Sequence, residues 1–245
     1  MKAIILAAGK GTRLNGVDLK PKCLFEIGGE TLLDRQITTL RELKLNDIVI
    51  VLGFEADRIR RRYEHLASFV LNSRFEETSS MYSLWLAREH LLDGFVVLNC
   101  DVLFHPQLLE RLLSSPFDDA LLIDLVDKNN NHLGDEEMKV KVSDGLVIDI
   151  RKDMDPLDAD GENVGIVKFS ADGARRLVEE MDTLISHGQL KDWAPRAFRE
   201  FALRFPLHAI STEDYPWIEI DFPEDYRKAK EEVFPQIDAM ADSRV

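Results

Sequence analysis

The sequence predicts an α/β fold: a doubly wound, mainly parallel mixed sheet with a small β-hairpin and helical insertion. Three observations predict it. Apolar runs of strand length alternate with segments of helical period from residue 2 to residue 126. The first of these runs empties at once into a glycine-rich, basic loop. After residue 126 the rhythm changes, and apolar residues alternate with polar ones on either side of Ser143, Asp144 and Gly145, a hairpin signal.

The elements follow in order. Residues 2–8 are apolar after Lys2 and read as a short buried strand. Leu32, Leu33, Ile37, Leu40 and Leu43 recur at helical spacing and set a helix over 32–43. Residues 48–52 form an unbroken aliphatic run closed by Gly53, a second buried strand. A helix over 57–66 carries Arg58, Arg60, Arg61 and Arg62. Those arginines read as a solvated face or as an interface between copies, which leaves a homo-oligomer open. A strand over 69–72 precedes a helix over 79–92, with Ser79 or Ser80 as its N-cap. Residues 95–99 form a central strand that ends at Cys100 and Asp101. A helix over 106–113 and a strand over 120–126 complete the alternating part. The hairpin pairs 138–142 with 146–151. Then come a strand over 164–169, helices over 171–184 and 192–200, strands over 203–210 and 217–221, and a closing helix over 224–233. Residues 236–245 read as a fraying tail. No repeat or linker divides the chain, so one domain is expected over 1–235.

Composition narrows the function. The chain has 245 residues, 45% of them hydrophobic and 31% charged, enough for a sizeable core. Its net charge of -14 opposes nonspecific binding to nucleic acid or to anionic membranes. An acidic protein that takes anionic substrates must gather positive charge locally, and Arg13, Lys20 and Lys22 are clustered early. Cys23 and Cys100 are too few for a disulfide framework and lack metal-ligand spacing, and the six histidines are dispersed. No apolar stretch is long enough to span a membrane and no signal peptide is visible, so no membrane insertion and a cytoplasmic protein are expected.

The glycine-rich loop carries the chemistry. A buried strand ending in Gly9, Lys10, Gly11, Thr12 and Arg13 lets backbone N–H groups approach an anion closely, with basic side chains as countercharge. A dinucleotide-binding fingerprint needs a third glycine three residues after the second, and a P-loop needs Gly-Lys-Ser/Thr; neither fits. Two carboxylates fall where open α/β sheets bind ligands: Asp101 after the strand 95–99 and Asp221 after Trp217–Ile220 in the strand 217–221. Each alone also reads as a helix cap. Together with the loop they form a magnesium pair, since magnesium takes one or two carboxylates plus substrate phosphates.

The order Leu-Ala-Ala-Gly-x-Gly-Thr-Arg, then Pro21-Lys22, resembles the nucleotidyltransferases that activate sugars and alcohols with a nucleoside triphosphate. In place of the Gly-Thr-Ala common in the sugar-1-phosphate enzymes, this chain has Met81-Tyr82-Ser83-Leu84-Trp85-Leu86. That stretch, with Asn72-Ser73-Arg74-Phe75 and the run from Trp217 to Asp225, is similar to the phosphocholine and aminoalkylphosphonate cytidylyltransferase branch. The resemblance implies a Rossmann-like fold, with a nucleotide-binding half over 1–126 and an acceptor-binding half over 127–235 that also supplies the second metal ligand. It implies magnesium-dependent transfer from CTP to a small phosphorylated alcohol or phosphonate, releasing pyrophosphate.

On that reading Leu6, Ala7, Ala8, Gly9, Gly11, Thr12 and Arg13 hold the nucleotide, and Asn72 and Ser83 face the pyrimidine edge. Lys22 and Arg13 are catalytic, neutralising phosphate charge, and Asp101 and Asp221 hold Mg2+. A quaternary ammonium acceptor calls for an aromatic cage beside a carboxylate. Asp192 with Trp193, Trp217 with Glu219, and Tyr82 are its candidates, with Lys152 placed to meet an acceptor phosphate. A sugar- or polyol-phosphate transferase is the alternative, and an inactive nucleotide-binding module is disfavoured because the loop, lysine and both carboxylates are present.

Overall fold

The structure is a computed structural model that describes residues 1–14, 20–126 and 133–242. Strand β1 (Lys2–Ala7) is followed by two short antiparallel strands, β2 (Glu26–Ile27) and β3 (Glu30–Thr31), and by α1 (Leu32–Glu42). Thr31 and Asp34 form a reciprocal capping box that starts α1. Then come β4 (Ile48–Leu52), α2 (Ala56–Tyr63), β5 (Ser68–Leu71), α3 (Ser80–Leu86) and β6 (Phe95–Asn99). The chain continues through β7 (Val102–Phe104), α4 (Pro106–Ser114), β8 (Ala120–Leu125), the hairpin β9 (Lys139–Ser143) and β10 (Leu146–Arg151), and β11 (Gly161–Phe169). It ends with α5 (Ala171–Ser186), α6 (Ala194–Ala202), β12 (His208–Ser211), β13 (Trp217–Glu219), α7 (Pro223–Lys228), a π turn over Ala229–Val233, and α8 (Phe234–Asp242).

Among the described residues one nine-stranded sheet runs β5-β4-β1-β6-β11-β8-β12-β10-β9. It is parallel from β5 to β6, and β11 then enters antiparallel between β6 and β8. The aliphatic runs of β1, β4 and β6 are buried on both faces, as a covered parallel sheet requires. Ile4, Val49 and Val97 point to one apolar cluster, and Ile5, Ile50 and Leu98 to the other. The sheet is therefore doubly wound, as expected.

Three expectations are corrected. Residues 203–207 are not strand: the N–H groups of Leu203 and Phe205 still bond to Arg199 and Phe201, so they finish the α6 turn, and β12 begins at His208. The predicted tail continues as α8, with Ile237 only 7% exposed in a cluster with Leu14, Phe25 and Val233; residues 243–245 lie outside the described residues. The α3 helix stops at Leu86 and gives way to a 3-10 turn over Arg88–His90. On α2, Arg58, Arg60 and Arg62 pair with Glu55, Asp57 and Asp34 of the same chain. No helix among the described residues is long and apolar enough to cross a membrane.

Candidate active site

The carboxyl ends of β1 and β6 lie side by side, with Leu6 paired to Asn99. A cavity of about 460 Å³ opens beyond them. Leu6, Ala8, Gly9, Gly11, Arg13 and Lys22 line it from the amino-terminal loop. Gly11 has φ +60, and a Cβ there would stand 2.6 Å from Lys22 Cγ, so only glycine lets the lysine pass. A Cβ on Gly9 would meet nothing within 4 Å; it would point into open space. Ala7 is buried beneath the loop and does not reach the cavity. Thr12 opens a 3-10 turn, and only its backbone is described.

Two carboxylates far apart in sequence meet here because short strands pair. Glu219 of β13 lies opposite Val102 of β7, and the Ile220 N–H donates to the Asp101 carbonyl at 3.0 Å. Buried Gln36 pins the turn after β6 by donating to the carbonyls of Asn99 and Val102, at 2.9 and 3.0 Å. Lys22 Nζ then donates to Asp101 Oδ2 at 3.1 Å and to Asp221 Oδ1. Arg13 Nη1 donates to Asp221 Oδ2 at 3.1 Å and pairs with Glu136 at 3.0 Å. Burial alone would depress the Lys22 ammonium, but Asp101 and Asp221 outweigh it and hold it above the usual lysine range. Burial, then the charges of Asp101 and Asp221, push the Glu219 carboxyl up to about 8. Glu219 lines the same cavity as the two aspartates.

The donor set fits a divalent cation that arrives with phosphates. A cationic group already sits where Asp101 and Asp221 converge. Among the described residues, no three acidic, histidine or cysteine side chains close a cage by themselves. Two protein carboxylates completed by substrate phosphates and water is magnesium's habit.

The opposite wall holds Asn72 and Ser83. Asn72 Nδ2 donates to Thr78 Oγ1 and Ser83 Oγ, both at 3.0 Å, and its Oδ1 accepts from the Arg74 N–H at 3.0 Å. Those bonds shape the wall and leave the amide oxygen one further acceptor position. Asn99 and Asn163 also line the cavity. Sequence reasoning passed over both, although Gly165 marks the place. It has φ +82 within β11, and a Cβ there would meet Asn99 Nδ2 at 2.7 Å.

The amino end of α3 draws in the segment before α6. The N–H groups of Ser79 and Met81 donate to the carbonyls of Leu190 and Asp192, at 3.0 and 3.2 Å, and the Ala194 N–H to Ser80 Oγ at 2.9 Å. Trp193 is thereby held at the cavity rim, 50% exposed. Lys152 Nζ lies 4.8 Å from the centre of its ring and 3.5 Å from Glu136. Asp192 stands just outside, on the wall of an adjoining cavity. The expected cage is not assembled. Tyr82 stacks on Trp85 at 5.4 Å, and Trp217 packs against the core; neither lines either cavity. The face of Trp193 already has a cation. A second ammonium on that face would meet Lys152, whose charge is shared with Glu136.

A glycine-rich loop, a lysine shared by two aspartates, and a mixed sheet presenting them at its carboxyl edge define a nucleotidyltransferase. The MobA-like NTP transferase domain family matches residues 3–132, and the chain belongs to that family. It is 28% identical over 236 residues to a choline-phosphate cytidylyltransferase of Streptococcus pneumoniae, covering 94% of this chain and 97% of that one. It is 25% identical over 248 residues to a CTP:phosphoglutamine cytidylyltransferase of Campylobacter jejuni, covering 92% and 97%. The fold matches the CTP:phosphocholine cytidylyltransferase structure from S. pneumoniae with a TM-score of 0.78 at 24% identity, covering 94% and 97%. It matches an inositol-1-phosphate CTP transferase from T. maritima with a TM-score of 0.76 at 19% identity, covering 98% and 96%.

Proposed function

We propose that this protein transfers a cytidylyl group from CTP to a phosphate or phosphonate oxygen of a small acceptor. The acceptor oxygen attacks the α-phosphorus, the bond to the β-phosphate oxygen breaks, and pyrophosphate leaves with a CDP-linked product. The observation that carries the reading is the convergence of Asp101 and Asp221 on Lys22, beside the Gly9–Gly11 loop.

An acceptor phosphate is already a nucleophile, so the site needs no general base; positioning and charge neutralisation are the work. The loop backbone from Leu6 to Gly11 holds the nucleotide. Arg13, half-exposed at the mouth, meets the β- and γ-phosphates. Asp101 and Asp221 would hold magnesium, which supplies charge neutralisation on the phosphates. Lys22 is their countercharge in the free protein. Released from them, its ammonium turns to the α-phosphate and offsets the charge that builds during transfer. Relatives named for choline phosphate, phosphoglutamine and inositol 1-phosphate support an acceptor that is a small phosphorylated alcohol, amino-acid derivative or polyol. The reaction belongs in the cytoplasm, where CTP is formed.

The test is pyrophosphate release with magnesium, four nucleoside triphosphates scanned against phosphocholine, phosphoethanolamine, phosphoserine, 2-aminoethylphosphonate, inositol phosphate and glucose-1-phosphate. Turnover confined to CTP is expected. Turnover with another triphosphate and a sugar phosphate would replace this reading with the sugar-activating one.

A further inference from the structure

Beyond Trp193 a second cavity of about 350 Å³ runs along α6 and shares Met138, Lys152 and Trp193 with the first. Its wall sets Arg151, Lys152, Arg196 and Arg199 against Asp153 and Asp192. Arg151 and Arg199 both turn to Asp149, at 2.8 and 2.5 Å, and brace that side. Two groups are held more loosely. Arg196 Nε stands 4.0 Å from Asp192, while its other arm is held by Glu200 at 2.9 Å. Lys152 stands 3.5 Å from Glu136. Charge-assisted bonds close to about 2.7–2.9 Å when fully made. The junction therefore offers a guanidinium edge, an ammonium and a carboxylate, each with bonding capacity to spare.

We propose that this second cavity takes the far end of the acceptor and selects one that carries a carboxylate beside its ammonium, that is, a phosphorylated amino acid. The acceptor carboxylate meets Arg196 and Lys152, and its ammonium meets Asp192. Lys152 on the Trp193 face turns away a bare quaternary ammonium and welcomes an anion at the same spot. The proposal rests on the reading that the first cavity performs cytidylyl transfer, because the acceptor phosphate must lie there while its far end crosses Trp193.

Two pairs of acceptors that differ only in one carboxylate test it: phosphoserine against phosphoethanolamine, and phosphohomoserine against 3-aminopropyl phosphate. With CTP and magnesium, the carboxylate-bearing member of at least one pair is expected to show about tenfold higher kcat/KM, mainly through KM. In Arg196→Gln that ratio falls towards one. In Asp192→Asn both members weaken alike and the ratio stays, which a general loss of folding would not produce. Equal use of both members in each pair, or an unchanged ratio in Arg196→Gln, overturns the proposal and leaves cytidylyl transfer standing. If CTP is not turned over with any acceptor, the transfer reading fails on its own. Calorimetric binding of the same pairs then decides: tighter binding of the carboxylate-bearing member, lost in Arg196→Gln, upholds the cavity's chemistry, and equal binding overturns it.

Discussion

Gly9 and Gly11 stand two residues apart and do opposite work. Gly11→Ala forces a left-handed residue to carry a Cβ against Lys22 and is expected to cost about 1–3 kcal/mol in denaturant unfolding. Gly9→Ala, pointing into open space, is expected to leave stability within about 0.5 kcal/mol and to weaken CTP binding by calorimetry. Lys22 makes a second prediction. Because its ammonium occupies the aspartates that would hold the metal, Lys22→Ala is expected to bind Mn2+ more tightly than the native protein without nucleotide, by electron paramagnetic resonance. The same variant should lose about 10²–10³-fold in kcat. Unchanged or weaker Mn2+ binding would mean that lysine and metal do not share the site. That the loop, Asp101 and Asp221 meet at one cavity was legible from residue type and strand-end position, and the place of Lys22 from the resemblance. The aromatic cage was not. Whether Tyr82 faces a cavity or stacks on Trp85 depends on a helix rotation that sequence adjacency does not encode.

The elements that aim the site are among the shortest. The pairing of β7 with β13 brings Asp221 beside Asp101; β13 was read within the strand over 217–221, but the three residues of β7 are too few for any periodicity to register. The long aliphatic runs of β1, β4 and β6 were readable because both faces are buried. The antiparallel entry of β11 was not, since its partner is chosen by topology and not by its own sequence. At the carboxyl end, the closing helix was read to stop at residue 233, just short of Pro235. The π turn over Ala229–Val233 precedes it, and the chain stays helical to Asp242. This helix closes the cluster behind Leu103 and Ile220, the neighbours of both aspartates. Ile237→Ala is expected to cost about 2–5 kcal/mol, measured by denaturant unfolding, whereas a free tail would tolerate it.

Across the whole molecule the excess of acid has a consequence for stability. Burial, then the charges of Glu137 and Asp124, push the Glu162 carboxyl up to about 8, against the pull of Lys139 and Lys152. The folded protein keeps this proton where the unfolded chain, near 4.5, has lost it. Stability from this group is full below about 4.5 and declines as pH rises towards 8. In Glu162→Gln the fall in Tm between pH 5 and pH 8 is expected to be smaller, by about 2–4 °C for each kcal/mol relieved. Against the net charge of -14, Arg13, Lys22 and Lys152 line one cavity together with Glu219 and with the carboxylates of Asp101, Glu136 and Asp221, which pair with them in the free protein. The measurement that bears most directly on that cavity is phosphorus NMR of one reaction with CTP, magnesium and the acceptor panel. Stoichiometric pyrophosphate and a CDP-linked product are expected from the native protein, and neither from Asp101→Ala nor from Asp221→Ala. Undiminished product from either variant, or CTP left intact by the native protein with every acceptor, would contradict the account.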